Sequence, residues 1–391
     1  MGHNRLERLE SYVLKVIEGR EKGFGAACLR LVLHQLSMLF KFLAQTRLWL
    51  YRHRIIRDTT LGCQVLSVGN LTVGGTGKTP VVEVFARTLQ KSGRRVAILS
   101  RGYKKKQPSL VERIVNRITF KNRRSPPIVV SDGERVLIDS DSGGDEPYML
   151  ATNLPGVVVV VGKDRVKSGR YAIQKLDCDT LILDDGFQYL SLKHRLDIVL
   201  VDATNPFGNE HVLPRGILRE PVHNIKRAGF IFITKSKPAG EPELKKRLRE
   251  LNPKAEISEC CHCSRYLQDV ITREKVELEF LKGKKVFAVS GIAAPRGFEN
   301  ELLRRGVEIL GHETYADHHR YTQQELLDVI NEGLNLDADA IVTTEKDAVR
   351  FPRIEHPPIP IYYLRVEIEM LSGTDAFNDW INRICFRRLD T

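Results

Sequence analysis

A glycine-rich turn is the feature of this sequence that most limits the folds open to it. The turn occupies Gly69–Thr79, follows the apolar, β-branched run Gln64–Gly69 and precedes a helical pattern that begins near Pro80. Its glycines allow the backbone to approach an anion closely and to point successive N–H groups at it. The order of strand, glycine turn and helix is typical of phosphate-binding loops in α/β nucleotide-binding proteins. We therefore predict a nucleotide-phosphate site at this turn.

The residue types in the turn suit different parts of ATP. Lys78 can reach the β- and γ-phosphates, Thr79 can place its hydroxyl on Mg²⁺, and the helix adds its positive N-terminal end. The spacing departs from the strict Gly-x4-Gly-Lys-[Ser/Thr] pattern, because Thr72 stands where the first glycine would be. The predicted ATP-binding residues are Gly69, Asn70, Val73, Gly74, Gly75, Thr76, Gly77, Lys78, Thr79 and Pro80.

Short apolar runs alternate with helical patterns along much of the chain. The alternation predicts an α/β fold, with a P-loop NTPase-like, doubly wound and mainly parallel sheet. Polar motifs follow these runs, as expected for ligands at the carboxyl ends of strands. The predicted strands are Gln64–Gly69, Arg95–Ser100, Val157–Gly162, Thr180–Asp184, Asp197–Asp202 and Phe230–Thr234, and the helices between them include Pro80–Ser92 and Arg165–Lys175.

The chain of 391 residues is long enough for two domains. Strands at Lys285–Ser290 and Ala340–Thr343 predict a second, smaller α/β domain, and the extended stretches on either side of it predict a two-stranded linker. The predicted divisions are a basic amphipathic helical segment at 1–57, a P-loop domain at 58–255, a linker strand at 256–280, the smaller domain at 281–360, and a return strand with a C-terminal helix on the first domain at 361–391.

The net charge of +12 suggests an acidic partner, such as nucleic acid, an anionic membrane surface or a phosphorylated substrate, although basicity can also serve solubility alone. The N-terminal segment carries apolar residues at helical spacing among many arginines. We interpret it as too charged to cross a bilayer. It can lie in the membrane interface or pack on the protein itself, and the pattern alone slightly favours packing. The apolar positions are Leu29, Leu33, Leu36, Phe40 and Leu43.

The seven cysteines are odd in number and mostly scattered, which favours a reducing cytosol over a disulfide framework. The cluster Cys260-Cys261-His262-Cys263 has no second ligand pair after it, so we interpret it as free cysteines in a linker strand rather than a zinc site.

Three further motifs carry candidate chemistry. Asp184-Asp185-Gly186-Phe187-Gln188 ends an apolar strand, where a P-loop protein holds Mg²⁺. Gly143-Gly144-Asp145-Glu146-Pro147 offers a carboxylate that could accept a proton from an acceptor hydroxyl, but a helix N-cap explains it equally well. Asp317-His318-His319-Arg320-Tyr321 could orient a catalytic group or be a plain polar loop.

In this order, the motifs resemble those of the tetraacyldisaccharide 4′-kinase family, the lipid A 4′-kinases of Gram-negative bacteria. The resemblance covers most of the chain and is far more specific than any single motif. It rests on Ser67–Pro80, Ser100-Arg101-Gly102-Tyr103, Gly144–Pro147, Asp184–Gln188, Leu213-Pro214-Arg215-Gly216, Leu218-Arg219-Glu220, Asp317-His318-His319 and Thr344-Glu345-Lys346-Asp347.

The resemblance implies an ATP- and Mg²⁺-dependent lipid kinase that phosphorylates the 4′-hydroxyl of a tetraacylated glucosamine disaccharide 1-phosphate. By matching motif positions, Asp145 would be the general base, paired with His318, and Lys78 would assist catalysis. The Mg²⁺ ligands implied are Thr79, Asp184, Asp185 and Glu220, and the weaker substrate candidates are Tyr103, Arg165 and Arg215.

A lipid acceptor implies docking at an anionic membrane, on the cytoplasmic face of the inner membrane, through the N-terminal helix. We expect a monomer and no nucleic acid partner, because no recognition helix or aromatic RNA motif is present. Tyr189 stands where the family usually has His, and the basic stretch Lys104–Arg124 is longer than expected. The alternative is a membrane-associated P-loop ATPase or GTPase switch acting on a protein partner.

Overall fold

The computed structural model describes residues 12–13, 15–17, 19–102 and 126–386. The basic stretch Lys104–Arg124 and the candidate Tyr103 lie outside these residues. The α-helices are α1 Phe24–Arg52, α2 Lys78–Lys91, α3 Ser140–Gly143, α4 Asp145–Asn153, α5 Arg165–Leu176, α6 Pro242–Leu251, α7 Pro295–Arg304, α8 Gln323–Asn335, α9 Glu345–Ala348 and α10 Thr374–Phe386. The strands are β1 Gln64–Asn70, β2 Val96–Ser100, β3 Ile128–Asp132, β4 Val158–Val161, β5 Thr180–Asp184, β6 Leu196–Asp202, β7 Phe230–Thr234, β8 Glu256–Asp269, β9 Lys275–Val276, β10 Lys285–Ser290, β11 Glu308–Thr314, β12 Ala340–Thr344 and β13 Ile361–Ser372.

The chain forms two compact units that each combine distant segments. The first unit comprises residues 1–78, 180–261 and 370–391, and the second comprises 79–179 and 262–369. The chain therefore leaves the first unit twice: it leaves within α2 and returns at the start of β5, then leaves again within β8 and returns within β13. The domain boundaries expected from the sequence stay a prediction.

In the first unit the strands run in the order β8-β7-β6-β1-β5, and every one of these neighbouring pairs is parallel. Val68 pairs with Asp184 and Gly69 with Val199, so the turns after β1, β5 and β6 meet at one edge of the sheet. Strands β5 and β7 are buried along their whole length, which explains their unbroken apolar sequences. Ile231 and Ile233 of β7 pack with Phe187, Leu218 and Leu248 in one core.

The second unit holds two groups of strands. In one, β2 pairs in parallel with β4, and β3 pairs antiparallel with the other side of β4. In the other, β11-β10-β12-β13 are all parallel, with apolar cores built around Phe298 and Tyr321. The predicted mainly parallel α/β fold is confirmed, and within the described residues the predicted helices and strands lie close to their expected bounds. Strands β3 and β11 were not predicted.

The N-terminal helix α1 spans 29 residues and buries only Ala26, Leu33 and Ser37. Ser37 Oγ donates a 2.8 Å hydrogen bond to the backbone oxygen of Val212, which attaches the helix to the first unit. By length and composition, α1 is apolar enough to cross a bilayer. The expectation that this segment is too charged to do so is therefore wrong on these two criteria. Core helices of soluble proteins and signal sequences share this length and composition. Most of its apolar side chains are exposed: Phe24, Leu31, Val32, Leu36, Met38, Leu39, Phe40, Phe42, Leu43 and Trp49.

Candidate active site

The glycine turn lies between the end of β1 and the start of α2, as predicted. Asn70 Nδ2 donates to Thr76 Oγ1 at 3.0 Å, and Thr234 Oγ1, from the end of β7, donates to the backbone oxygen of Thr76 at 2.9 Å. Lys235 Nζ reaches the backbone oxygen of Gly75 at 3.1 Å. Two carbonyl groups that would repel a phosphate are thus engaged by donors from the protein.

The two central glycines leave open space on the loop. A Cβ atom added at Gly74 or Gly75 would meet no heavy atom within 4 Å. Gly74 has φ +110° and Gly77 has φ +77°, a backbone region that favours glycine. The Oδ1 atom of the buried Asn70 has no hydrogen-bond partner in the described part of the chain. Open space at Gly74 and Gly75, beside backbone that only glycine adopts readily, permits the close approach of a phosphate-bearing ligand.

Gly69 serves a different purpose from the glycines after it. Its added Cβ would lie 2.7 Å from Phe187 Cβ and 2.9 Å from the Phe187 backbone nitrogen. The backbone of the segment after β5 is fixed there, because Gly186 N–H donates to the Val68 oxygen at 3.0 Å. The absence of a side chain at Gly69 is therefore explained by packing.

Lys78 and Arg219 both contact Asp185, which follows β5. Lys78 Nζ is 3.6 Å from Asp185 Oδ1, and Arg219 Nη1 donates to both carboxylate oxygens at 2.7 Å. Burial opposes ionisation of Asp185, but the charges of Lys78 and Arg219 outweigh it and hold its pKa below the usual value. The preceding Asp184 is buried at the end of β5. A cation that the sequence analysis left without a role, Arg219, thus joins the predicted lysine and aspartates.

The carboxylate of Glu220 is already engaged by neighbours. Arg227 Nη2 donates to both of its oxygens at 2.9 Å, and Asn224 Nδ2 donates to Oε2 at 2.7 Å. The Arg227 guanidinium also stacks over the ring of Phe187 at 4.0 Å from its centroid. Among the residues that the structure describes, no three His, Cys, Asp or Glu side chains form a group able to hold a metal ion.

The second unit gathers charged groups around Asp145, the first residue of α4. Gly144, at φ +97°, is the N-cap, so the alternative interpretation of Asp145 as the cap is wrong. Arg350 Nε donates to Asp145 Oδ2 at 2.8 Å, Arg320 Nη2 donates to Oδ1 at 3.2 Å, and His318 Nδ1 lies 3.5 Å from Oδ2. Burial opposes ionisation, but His318 and Arg350 outweigh it and hold the pKa of Asp145 below its usual value.

Each residue of the motif Thr344-Glu345-Lys346-Asp347 has a contact of its own. Thr344 caps the short helix α9 by accepting from the Asp347 backbone N–H. Glu345 pairs with Arg365 at 2.7 Å, and Lys346 Nζ reaches Glu146 Oε1 at 3.3 Å. Asp347 accepts from Arg350 Nη1 at 3.1 Å. The motif therefore links α9 to β13 and to α4, beside Asp145.

The remaining candidates contact backbone atoms, and His319 contacts a neighbouring side chain. Arg165 is buried, and its Nη1 is 3.4 Å from the backbone oxygen of Gly162. Arg215 Nη1 donates to the backbone oxygen of Ile17 at 3.1 Å. His319 Nε2 contacts Glu325 Oε1 at 3.1 Å. Sequence reasoning missed Arg219, Arg320 and Arg350, although the first two stand inside quoted motifs.

A mainly parallel α/β sheet, a glycine loop between a strand and a helix, and a lysine held by an aspartate together define a P-loop nucleotide-binding protein. The sequence model of one family, tetraacyldisaccharide-1-P 4′-kinase, matches residues 29–385. The chain belongs to this family.

Known proteins agree with this assignment. The chain is 35% identical to the tetraacyldisaccharide 4′-kinase of Halothermothrix orenii, with 97% of this chain and 99% of that protein covered. It is 38% identical to the tetraacyldisaccharide 4′-kinase of Desulfotalea psychrophila, covering 90% of this chain and 95% of that protein. The crystal structure of LpxK from Aquifex aeolicus in complex with ATP superposes with a TM-score of 0.71 at 28% identity, covering 92% of this chain and 100% of that one. The predicted P-loop NTPase-like fold is thereby confirmed.

Proposed function

We propose that this protein transfers the γ-phosphoryl group of ATP to the 4′-hydroxyl of a tetraacylated glucosamine disaccharide 1-phosphate, a precursor of lipid A. The observation that carries the proposal is the open glycine loop with Lys78 beside Asp185, in a chain that belongs to the 4′-kinase family along residues 29–385. A switch that hydrolyses nucleotide without an acceptor is not favoured by this membership.

For the donor, we propose that loop N–H groups from Gly74 to Lys78 bind the phosphates, with Lys78 neutralising the β- and γ-oxygens. The open space at Gly74 and Gly75 supports this assignment. Arg219 and Lys78 keep Asp185 ionised, which suits a residue that faces a cation. Loss of either positive charge would raise the pKa of Asp185 and weaken that role.

Mg²⁺ would be held by Thr79, Asp184 and Asp185, with Glu220 as a fourth candidate. Oxygen ligands from one or two carboxylates and a hydroxyl suit this ion, which in kinases also binds substrate phosphates. Glu220 already accepts three hydrogen bonds from Arg227 and Asn224, so at most about one of its four acceptor sites is available to the ion. When bound, the ion would neutralise charge on the transferred phosphoryl group.

For the acceptor, we propose that Asp145 accepts the proton of the lipid hydroxyl and that His318 orients it. The ionised state of Asp145, buried and in contact with two arginines, supports this role. Tyr103, Arg165 and Arg215 remain weaker candidates for contacts with the substrate phosphate. Catalysis would come mainly from positioning and from charge neutralisation.

We propose that the enzyme docks on the cytoplasmic face of the inner membrane as a monomer through α1. Ten large apolar side chains of α1 are exposed, while Ser37 attaches the helix to the first unit. A helix of this kind, with flanking arginines, suits an anionic lipid surface.

The test of the function is incubation of the purified protein with γ-labelled ATP, Mg²⁺ and the disaccharide 1-phosphate lipid. We expect label in a bisphosphorylated lipid and little free phosphate when the lipid is left out. Asp145→Asn should lower the transfer rate about 100-fold or more while nucleotide binding is kept. Rapid hydrolysis without lipid, unaltered on adding it, would instead support the switch.

A further inference from the structure

We propose that Arg350 is a positioning residue for phosphoryl transfer: its guanidinium fixes the orientation of Asp145 and His318 and is itself anchored on Asp347. The proposal rests on the proposed function, in which Asp145 accepts the proton of the acceptor.

Arg350 is buried and bonded at each of its nitrogens. Nε donates to Asp145 Oδ2 at 2.8 Å, and Nη1 donates to Asp347 Oδ1 at 3.1 Å and to the backbone oxygen of Gly291 at 3.2 Å. Nη2 lies 3.2 Å from His318 Nδ1. Its side chain has no exposed surface. A buried guanidinium needs such partners to offset the loss of water, and two carboxylates supply the opposite charge.

The anchor of Arg350 is as firmly held as Arg350 itself. Asp347 has no exposed surface, and its Oδ2 accepts from Thr344 Oγ1 at 2.5 Å. The Gly291 oxygen accepts both from Arg350 and from the His318 backbone N–H at 3.2 Å. A Cβ at Gly291 would lie 3.0 Å from Asp347 Oδ1, so the glycine permits this close approach.

The planar fork of arginine is what allows one side chain to serve all four contacts. Lysine presents a single nitrogen and can replace at most part of them. His318 Nδ1 lies between the two groups, 3.2 Å from Arg350 Nη2 and 3.5 Å from Asp145 Oδ2. The direction of the Asp145 carboxylate and the position of the His318 ring are therefore both set by contact with Arg350.

The other charged groups around Asp145 do not duplicate Arg350. Arg320 binds the opposite carboxylate oxygen, is half-buried, and also pairs with Asp141 of α3. Lys346 is turned to Glu146. Arg350 is thus the buried cation that contacts Asp145 Oδ2, the same oxygen that His318 faces.

The experiment compares wild type with Arg350→Gln and Arg350→Lys in the lipid-kinase assay, with kcat and KM for ATP measured across pH. For Arg350→Gln we expect kcat to fall about 10- to 100-fold, as for a misplaced catalytic group, with KM for ATP within about twofold. The acid limb of its kcat profile should move to higher pH, because loss of the cation raises the pKa of Asp145. Arg350→Lys should keep the limb near its wild-type position and regain part of the rate. Arg304→Gln, at an exposed arginine of α7, is the control and should match wild type.

The double variant Asp145→Asn with Arg350→Gln separates this inference from the proposed function. If Arg350 acts through Asp145, the second substitution costs little once Asp145 is gone. If Arg350→Gln lowers kcat by the same factor with and without Asp145→Asn, the positioning role is overturned, while the assignment of Asp145 as the base still stands. Wild-type activity of Asp145→Asn would instead refute the assignment of Asp145 as the base. Should Arg350→Gln fail to fold by thermal unfolding, Arg350→Lys decides: a wild-type kcat overturns the proposal, and a reduced kcat with unchanged KM supports it.

Discussion

Replacing Gly69 with alanine tests whether this residue is glycine for packing. The new methyl group would lie 2.7 Å from Phe187 Cβ and 2.9 Å from its backbone nitrogen. Neither atom can swing away, because Phe187 is 1% exposed and the adjoining Gly186 is hydrogen-bonded to β1. Overpacking of this kind typically destabilises a protein by about 1–3 kcal/mol. At about 2–4 °C per kcal/mol, the unfolding midpoint should fall by about 2–12 °C.

Gly75→Ala is the matched control for this loop. Its added Cβ meets nothing within 4 Å, so the free energy of unfolding should change by less than about 0.5 kcal/mol. The methyl group would nevertheless stand on the open side of the loop and should weaken ATP binding. Thermal unfolding and nucleotide titration of both variants are the measurements. A wild-type midpoint for Gly69→Ala, or an equal loss of stability for Gly75→Ala, would refute the packing argument.

Two further predictions concern a carboxylate and the N-terminal helix. Asp185→Asn should lower kcat about 10-fold or more, measured by label transfer, because its two cations lose their partner. The pKa of Asp185 is lowered in the folded state, so the ionised carboxylate stabilises the fold above its unfolded pKa of about 3.9. This stabilisation is lost as pH falls through the lower folded pKa. The free energies of unfolding in urea of wild type and variant should therefore converge at low pH. Leu39→Glu with Phe42→Glu, both exposed on α1, should reduce co-sedimentation with anionic vesicles, whereas Leu334→Glu on α8 should not; equal sedimentation would contradict docking through α1.

The strands of this fold were predictable where burial on both faces gives a continuous apolar run in the sequence. Thr180–Asp184 and Phe230–Thr234 have the bounds expected from their apolar runs, because parallel strands covered on both faces contain few polar residues. Strand β3, Ile128–Asp132, was missed because it is short, antiparallel and half-buried at its start. Such a strand has neither the length nor the continuous burial that the pattern detects.

The candidate site was predictable where its chemistry is local in sequence. The glycine turn and the aspartates after β5 carry their own patterns, and the contact between Lys78 and Asp185 follows from the pairing of neighbouring strands. Arg350 stands 205 residues from Asp145, and no local pattern separates a buried arginine from a surface one. Its role becomes visible only when α9 and α4 are seen packed together.

The lowered pKa of Asp145 limits how it can act as a base. A carboxylate with weak proton affinity would be a poor base if the acceptor had to lose its proton early. Phosphoryl transfer passes through a loose transition state in which the attacking oxygen bonds weakly, so its proton is needed late. What the reaction then requires is a carboxylate that is always ionised and held in one direction, as the contacts of Asp145 with Arg320 and Arg350 provide. As the proposed base, Asp145 would work above its folded pKa, which is lowered from its usual value, so its titration should leave kcat flat from pH 8 to pH 5. The account would be refuted if the kcat of wild type fell with a midpoint near pH 6 and this fall were absent in Asp145→Asn. Such a result would show that the carboxylate is protonated far more readily than its contacts imply.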